Sequence, residues 1–439
     1  MSGSEKYTNA DIKTILWHRL GRGTAFQAVN KGRMPVPHRM PVPQGLDRNG
    51  EYWQKELEKI RSNDVERALS EPAGTYNFDK LLALVSPAAE NHLEQMAQLA
   101  HQLTIRRFGP TIRLYAPLYL SNYCTNSCSY CGFNKENKSE RTRLTIDQAL
   151  EEADIIASEG FRDILLVSSE DRQFISIDYL VELAGKLREK FASISIEIYQ
   201  LSRDEYARLF KAGIEGVTLY QETYDRQAYK YYHPSGPKSD YDNRLLTPDH
   251  IAAAGMREVG LGVLLGLTDW RIETLALAEH AHYLIKRYWQ SHISFSFPRL
   301  RPARGTGFLW HGHPARAHGL EGRATKTRPR WPFHGAQFSH LLSDKNLVQM
   351  ITALRLCFAD AGLVLSTRER AQLRDHLVKL GITKLSAGSK TNPGGYSGHN
   401  EAIEQFEIDD NRSPAQVAAM IKQQGFEPVW KDWDVAFIR

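Results

Sequence analysis

Residues 112–131 read Ile112-Arg-Leu-Tyr-Ala-Pro-Leu-Tyr-Leu120-Ser-Asn-Tyr-Cys124-Thr-Asn-Ser-Cys128-Ser-Tyr130-Cys131. The first half, Ile112–Leu120, is a β-type apolar run, and the second places three cysteines on the loop that follows it. Three thiolates from one short loop hold three corners of a metal centre and leave a fourth position open, as a catalytic metal requires. Structural zinc would need a fourth protein ligand, which a remote histidine could supply. An electron-transfer ferredoxin would use four cysteines, and the chain has only Cys357 besides, alone in an apolar helical stretch where it reads as a small buried hydrophobe.

Working outward, β-type runs alternate with helical-period stretches. After Ile112–Leu120 the strand candidates are Asp163–Ser168, Ile194–Leu201, Gly216–Gln221, Gly260–Leu267, Ile293–Pro298, Leu363–Ser366 and Lys384–Ala387. Capping boxes at Thr145-Ile-Asp-Gln148 and Ser202-Arg-Asp-Glu205 start two of the intervening helices, and Thr247-Pro248 reads as an N-cap with proline at the first helical position. Later helices are expected over Arg271–Trp289, Asp344–Ala361 and Glu369–Leu380. Such alternation predicts parallel strands with helical crossovers, an α/β chain forming a closed (β/α)₈ TIM-type barrel over residues 111–389. An open doubly wound sheet fits the same alternation. In a barrel the active residues belong at the C-terminal strand ends. Residues 52–110 read as a helical N-terminal region, and 390–439 as a C-terminal extension ending in a helix over Pro414–Gln424.

Lysine and arginine total 56 against 51 acidic residues, a net charge of +5. The excess sits in two segments. One, Trp17–Gln44 within an N-terminal extension at 1–51, holds Arg19, Arg22, Lys31, Arg33 and Arg39 and no acid. The other, a basic insert at 304–343, sets Arg304, Arg316, Arg323, Lys326, Arg328 and Arg330 against Glu321. Both open on an Arg-Gly-Thr-x-Phe start and lack apolar periodicity, so they read as low-complexity insertions. Without them the body is acidic, which argues against nucleic acid as a partner. Met1–Lys13 is polar and has no apolar core of a secretory signal, and no apolar run reaches the roughly eighteen residues of a membrane span. A cytoplasmic protein without a membrane partner is expected.

The C-x3-C-x2-C spacing with Tyr130 before its last cysteine resembles the radical S-adenosylmethionine (SAM) superfamily. The resemblance implies a [4Fe–4S] cluster on Cys124, Cys128 and Cys131, whose open iron binds S-adenosyl-L-methionine, and reductive cleavage to a 5′-deoxyadenosyl radical. Leu165-Leu-Val-Ser-Ser-Glu170 resembles the superfamily's Gly-Gly-Glu element, so Glu170 is expected to accept from the cofactor's ammonium group. Tyr130, Glu197, Gln200 and Glu222 are expected to contact the cofactor, Glu197, Gln200 and Glu222 at its ribose or methionine end. Arg299 and Arg301 are expected to contact cofactor or substrate.

Further stretches narrow the likeness to the aromatic amino-acid lyase family: Tyr115–Asn122, Cys131-Gly-Phe133, Tyr220-Gln-Glu-Thr-Tyr224, Ser296-Phe-Pro-Arg-Leu-Arg-Pro302, Leu365-Ser-Thr-Arg-Glu369 and Ser386-Ala-Gly-Ser389. One branch of that family matures iron hydrogenases with a second cluster on further cysteines. Residues 132–356 and 358–439 contain none, which excludes that branch. The tail stretches Gly395-Tyr396, Glu404-Gln-Phe406 and Pro428–Trp433 favour the tyrosine-cleaving branch of thiamine synthesis over tryptophan cleavage. By the resemblance Arg368 and Ser386 hold the substrate carboxylate and Tyr119 lies in the substrate pocket; the plain alternative for Arg368 is an exposed helix-start arginine paired with Glu369. The implied reaction takes a hydrogen atom from the amino group of L-tyrosine and cleaves Cα–Cβ to 2-iminoacetate and p-cresol. The implied partners are thiazole synthase and a flavodoxin or ferredoxin reductant. Two rivals remain open here: a cluster- or zinc-binding module without catalysis, and an inactive paralogue disrupted by its insertions.

Overall fold

The computed structural model describes residues 50–306, 340–398 and 402–431. The N-terminal extension and nearly all of the basic insert lie outside the described residues.

Eight parallel strands close into a barrel: β1 (Thr111–Ser121), β2 (Asp163–Ser168), β3 (Ser193–Glu197), β4 (Gly216–Glu222), β5 (Glu258–Val263), β6 (His292–Ser296), β7 (Gly362–Leu365) and β8 (Lys384–Ser386). Closure comes from β1, which pairs with β2 along Ala116–Ser121 and with β8 along Arg113–Tyr115. The open doubly wound alternative is therefore set aside. β1 is eleven residues long, and β2 covers only its upper part. A short ninth strand, β9 (Glu427–Val429), fills the start of that edge by pairing with Thr111–Arg113. Proline at its centre suits a strand bonded along one side only.

The capping boxes at Thr145 and Ser202 form as expected and start the helices Ile146–Ser158 and Arg203–Ala212. The Thr247-Pro248 start does not form. Pro248 lies inside a helix running Tyr241–Ala253, whose N-cap is Asp240, its carboxylate accepting from the Asn243 N–H. Buried Tyr241, Arg244 and Leu245 anchor the first turns, so tertiary packing outweighs the local proline signal. The helical region expected over 52–110 begins with two separate helices, Gly50–Lys59 and Ser62–Ser70, broken where the Asp64 carboxylate accepts the Arg61 N–H. Strand β3 ends at Glu197 and β5 at Val263, each four residues before its apolar run stops. Hydrophobicity continues there because the following loops fold back over the barrel mouth, with Ile198, Tyr199, Leu201, Leu264 and Leu267 all buried.

Candidate active site

The three cysteines sit on the first βα loop, at the C-terminal end of the barrel. Two flanking segments hold that loop. From one side, residues 232–238 bond it through Ser127 N–H to the Ser235 carbonyl (3.0 Å) and Ser129 N–H to the Tyr232 carbonyl (3.1 Å). Gly236, at φ +98°, allows the approach. From the other side the C-terminal extension returns over the mouth, and Gly132 N–H donates to the Gln405 carbonyl at 3.1 Å. A Cβ on Gly132 would stand 2.8 Å from that same oxygen, so the contact requires glycine.

Side-chain amides point at two of the sulfurs. Asn126 Nδ2 lies 3.7 Å from Cys124 Sγ, and Gln405 Nε2 lies 3.8 Å from Cys131 Sγ. The same Gln405 accepts from the Tyr119 hydroxyl at 2.8 Å. Donors aimed at sulfur suit an iron–sulfur cluster, whose thiolates carry negative charge. Among the described residues no histidine or carboxylate group of three or more gathers around a single ion site. All four cysteines are free, and Cys357 is buried in the helix Asp344–Cys357.

A cavity opens beside the three thiols. Tyr130, Glu170, Glu197, Glu222, Arg301 and Arg368, all singled out in the sequence, line it. Glu170 accepts from Asn126 Nδ2 at 2.8 Å. Tyr130 donates to His233 Nε2 (2.8 Å), because Nδ1 of that ring faces the Tyr229 carbonyl (2.8 Å) and must carry the proton. Burial, and then the Lys238 cation, push His233 down to about 3, so the ring is neutral. Gln200 does not reach the cavity: it is buried three residues past the end of β3, with neither amide atom hydrogen-bonded.

A second, inner cavity lies within the barrel, lined by Tyr115, Tyr119, Ser366, Ser386 and Ser389 among others. Glu197, Tyr220, Arg368 and Phe406 line both cavities and form the wall between them. The guanidinium carbon of Arg368 stacks 3.4 Å from the Phe406 ring centroid. Its pairing with Glu369 does not occur: that carboxylate is buried and taken by Arg299 and Arg301, and Arg301 is bound further to Asp409 at 2.7 Å. The Ser386 hydroxyl accepts from Thr367 N–H at 3.0 Å.

Sequence reasoning missed Lys238 and Arg244. Lys238 Nζ lies 2.6 Å from Glu222 Oε1, and Arg244 lies 3.9 Å from the same oxygen. Burial pushes Glu222 up, but these two cations outweigh it and hold the carboxyl below its usual range. Glu222 is also the one non-glycine described residue with positive φ, +69°, at an irregularity in the β4–β5 register. Strain of this kind persists where surrounding contacts enforce it, as at functional sites. Nothing in Ser235-Gly-Pro-Lys238 announces a buried ion pair; it follows from where the loop folds. Gln405 carried a signal only as part of the tail resemblance.

A closed parallel barrel with three thiols on its first βα loop is the architecture of a radical SAM enzyme, and residues 118–278 match the Radical SAM superfamily. Residues 296–427 match the Biotin and Thiamin Synthesis associated domain. The chain is 42% identical over 372 residues to the 2-iminoacetate synthase of Escherichia coli (strain K12), spanning 84% of this chain and 90% of that one. The 2-iminoacetate synthase of Salmonella typhimurium is matched to the same extent. Among solved structures, HydG, a maturase of the [FeFe]-hydrogenase, superposes with a TM-score of 0.74 at 32% identity, covering 87% of this chain and 80% of that one. The chain belongs to the 2-iminoacetate synthase family of radical SAM enzymes.

Proposed function

We propose that this protein cleaves the Cα–Cβ bond of L-tyrosine, yielding 2-iminoacetate for the thiazole of thiamine together with p-cresol. The observation that carries the reading is the shared wall: the cavity beside the thiols and the inner cavity meet at Arg368, which no carboxylate pairs among the described residues. Arginine's planar fork suits the carboxylate of a free amino acid, and the Ser386 hydroxyl adds a donor on the same side. The aromatic and apolar lining of the inner cavity, with Tyr115, Tyr119, Tyr220 and Phe297, suits an aromatic ring.

Cys124, Cys128 and Cys131 would hold the [4Fe–4S] cluster, and Glu170 and Glu222 would contact S-adenosyl-L-methionine in the outer cavity. Together these cofactors supply a hydrogen-atom acceptor through one-electron cleavage of the sulfonium. The chain's residues position the substrate on the far side of the shared wall and exclude water from it. Arg301, committed to Glu369 and Asp409, serves to support that wall.

The partners follow from the product's chemistry. A free imine hydrolyses in water, so a thiazole synthase docked to this protein receives it, and a flavodoxin or ferredoxin supplies the electron. The protein is assigned to the cytoplasm; no helix among the described residues is long and apolar enough to cross a membrane.

The test is anaerobic reconstitution with iron and sulfide, then dithionite, S-adenosylmethionine and tyrosine. 5′-Deoxyadenosine and p-cresol are expected in parallel. Deoxyadenosine formed with tryptophan alone would replace the substrate, and no deoxyadenosine with any amino acid would overturn the radical reading.

A further inference from the structure

Two carboxylates on neighbouring strands face the mouth of the barrel, and only one is neutralised. Glu222, at the end of β4, has Lys238 and Arg244 against it. The carboxylate of Glu197, at the end of β3, has no hydrogen bond or ion pair among the described residues. It lies on the wall between the two cavities. Arg368, on the same wall, is near enough to act on it electrostatically yet forms no ion pair with it. Unpaired charges of opposite sign in a half-buried cavity are unfavourable unless a ligand completes them. A free α-amino acid does so in one molecule, since its carboxylate and ammonium share a carbon.

Resting on the tyrosine-lyase reading, we propose that Glu197 receives the substrate ammonium and takes one proton from it, while Arg368 holds the carboxylate of the same molecule. The reaction needs such a base. An ammonium group has no lone pair to stabilise a nitrogen-centred radical, so one N–H⁺ proton must leave before a hydrogen atom is removed. The transfer balances: the Nα–H bond breaks heterolytically, its electron pair stays on nitrogen as the amine lone pair, and the proton forms an O–H bond on Glu197. No other reactant is required. Burial raises Glu197 to about 7, with Arg368 opposing and Glu222 adding to the rise, which suits a group that takes up a proton near neutrality. Environments that drive two nearby carboxylates apart, as for Glu197 and Glu222, give them different roles.

The experiment uses cluster-loaded protein with S-adenosylmethionine and no reductant. Equilibrium binding of L-tyrosine is compared with that of its des-amino analogue, 3-(4-hydroxyphenyl)propanoate. The wild type is expected to favour tyrosine by about 10- to 100-fold, the range of a charge-assisted contact. In Glu197→Gln that preference falls to within a few-fold of unity. With dithionite, p-cresol formation drops by at least about 100-fold, while iron content, thermal midpoint and the KM for S-adenosylmethionine hold; Glu197→Asp recovers part of the rate. Equal binding of the two ligands by the wild type overturns the proposal without reference to any variant. A Glu197→Gln protein that keeps its tyrosine preference but loses affinity for S-adenosylmethionine also overturns it, making Glu197 a cofactor contact. If the preference depends on Glu197 and yet no p-cresol forms in the wild type, the lyase reading fails and the ammonium site stands.

Discussion

At the floor of the barrel Arg113 is bonded to Asp163, Lys384 Nζ lies 3.2 Å from the same carboxylate, and Glu258 lies within reach of both cations. At the mouth, Arg368 and Glu197 share a cavity wall and have no such partners among the described residues. Both ends bury charge inside one ring of strands, but they finish it differently. The floor network spans the first residues of β2 and β5, the start of β8 and the lower part of β1, so it ties the strands together at the end of the barrel opposite the thiols. The mouth leaves Arg368 and Glu197 open on the wall of the inner cavity, while Glu222 beside them is held by Lys238 and Arg244. Burial is common to both ends of the barrel; what distinguishes Arg368 and Glu197 is the lack of a counter-ion within the described residues.

Exchanging charges at each end sharpens the contrast. Arg368→Lys keeps the positive charge but loses the planar fork; kcat/KM for tyrosine should fall by about 100-fold, roughly 2.7 kcal/mol, with the thermal midpoint unchanged. Initial-rate kinetics on reconstituted enzyme and a melting curve decide it, and a loss shared by the KM for S-adenosylmethionine would remove Arg368 from the substrate side. Arg113→Met should do the reverse. It strips a buried carboxylate of its main partner and is expected to destabilise the fold by about 3 kcal/mol, measured by denaturant unfolding, with tyrosine KM intact. If activity fell while stability held, the floor would be functional and the contrast broken.

Acid provides the smallest and most specific test. Burial pushes Glu258 up, but Lys384 and Arg113 outweigh it and hold the group near 2. A carboxyl depressed on folding stabilises the protein above its unfolded pKa, about 4.3, and that stability is lost as pH falls toward 2. Glu258→Gln should therefore be less stable than wild type at pH 7, and the gap should narrow between about pH 4.5 and pH 2. A gap that does not narrow would show that the floor ion pairs contribute nothing through Glu258.

Much of this protein was legible along the chain. β–α alternation announced parallel strands with helical crossovers, because crossover helices on a parallel sheet impose that order locally, whereas closure came from the pairing of β1 with both β2 and β8. Cys124, Cys128 and Cys131 announced their chemistry because all three ligands lie in eight consecutive residues, and Thr145 and Ser202 capped their helices through contacts spanning three residues. What failed was whatever depended on distant partners. Pro248 sits mid-helix because Tyr241 and Leu245 pack against the core and Arg244 donates to the Tyr220 carbonyl, and Gln200, three residues past the end of β3, is buried away from the cavity lining. Only the folded chain brings Gln405 to Cys131, turns Glu369 to Arg299 and Arg301, and leaves Arg368 open opposite Glu197. Periodicity, caps and a compact ligand loop are short-range and written in consecutive residues. Which buried charge finds a counter-ion is settled across strands, since it depends on three-dimensional distance and exclusion of water, and neither is encoded by spacing along the sequence.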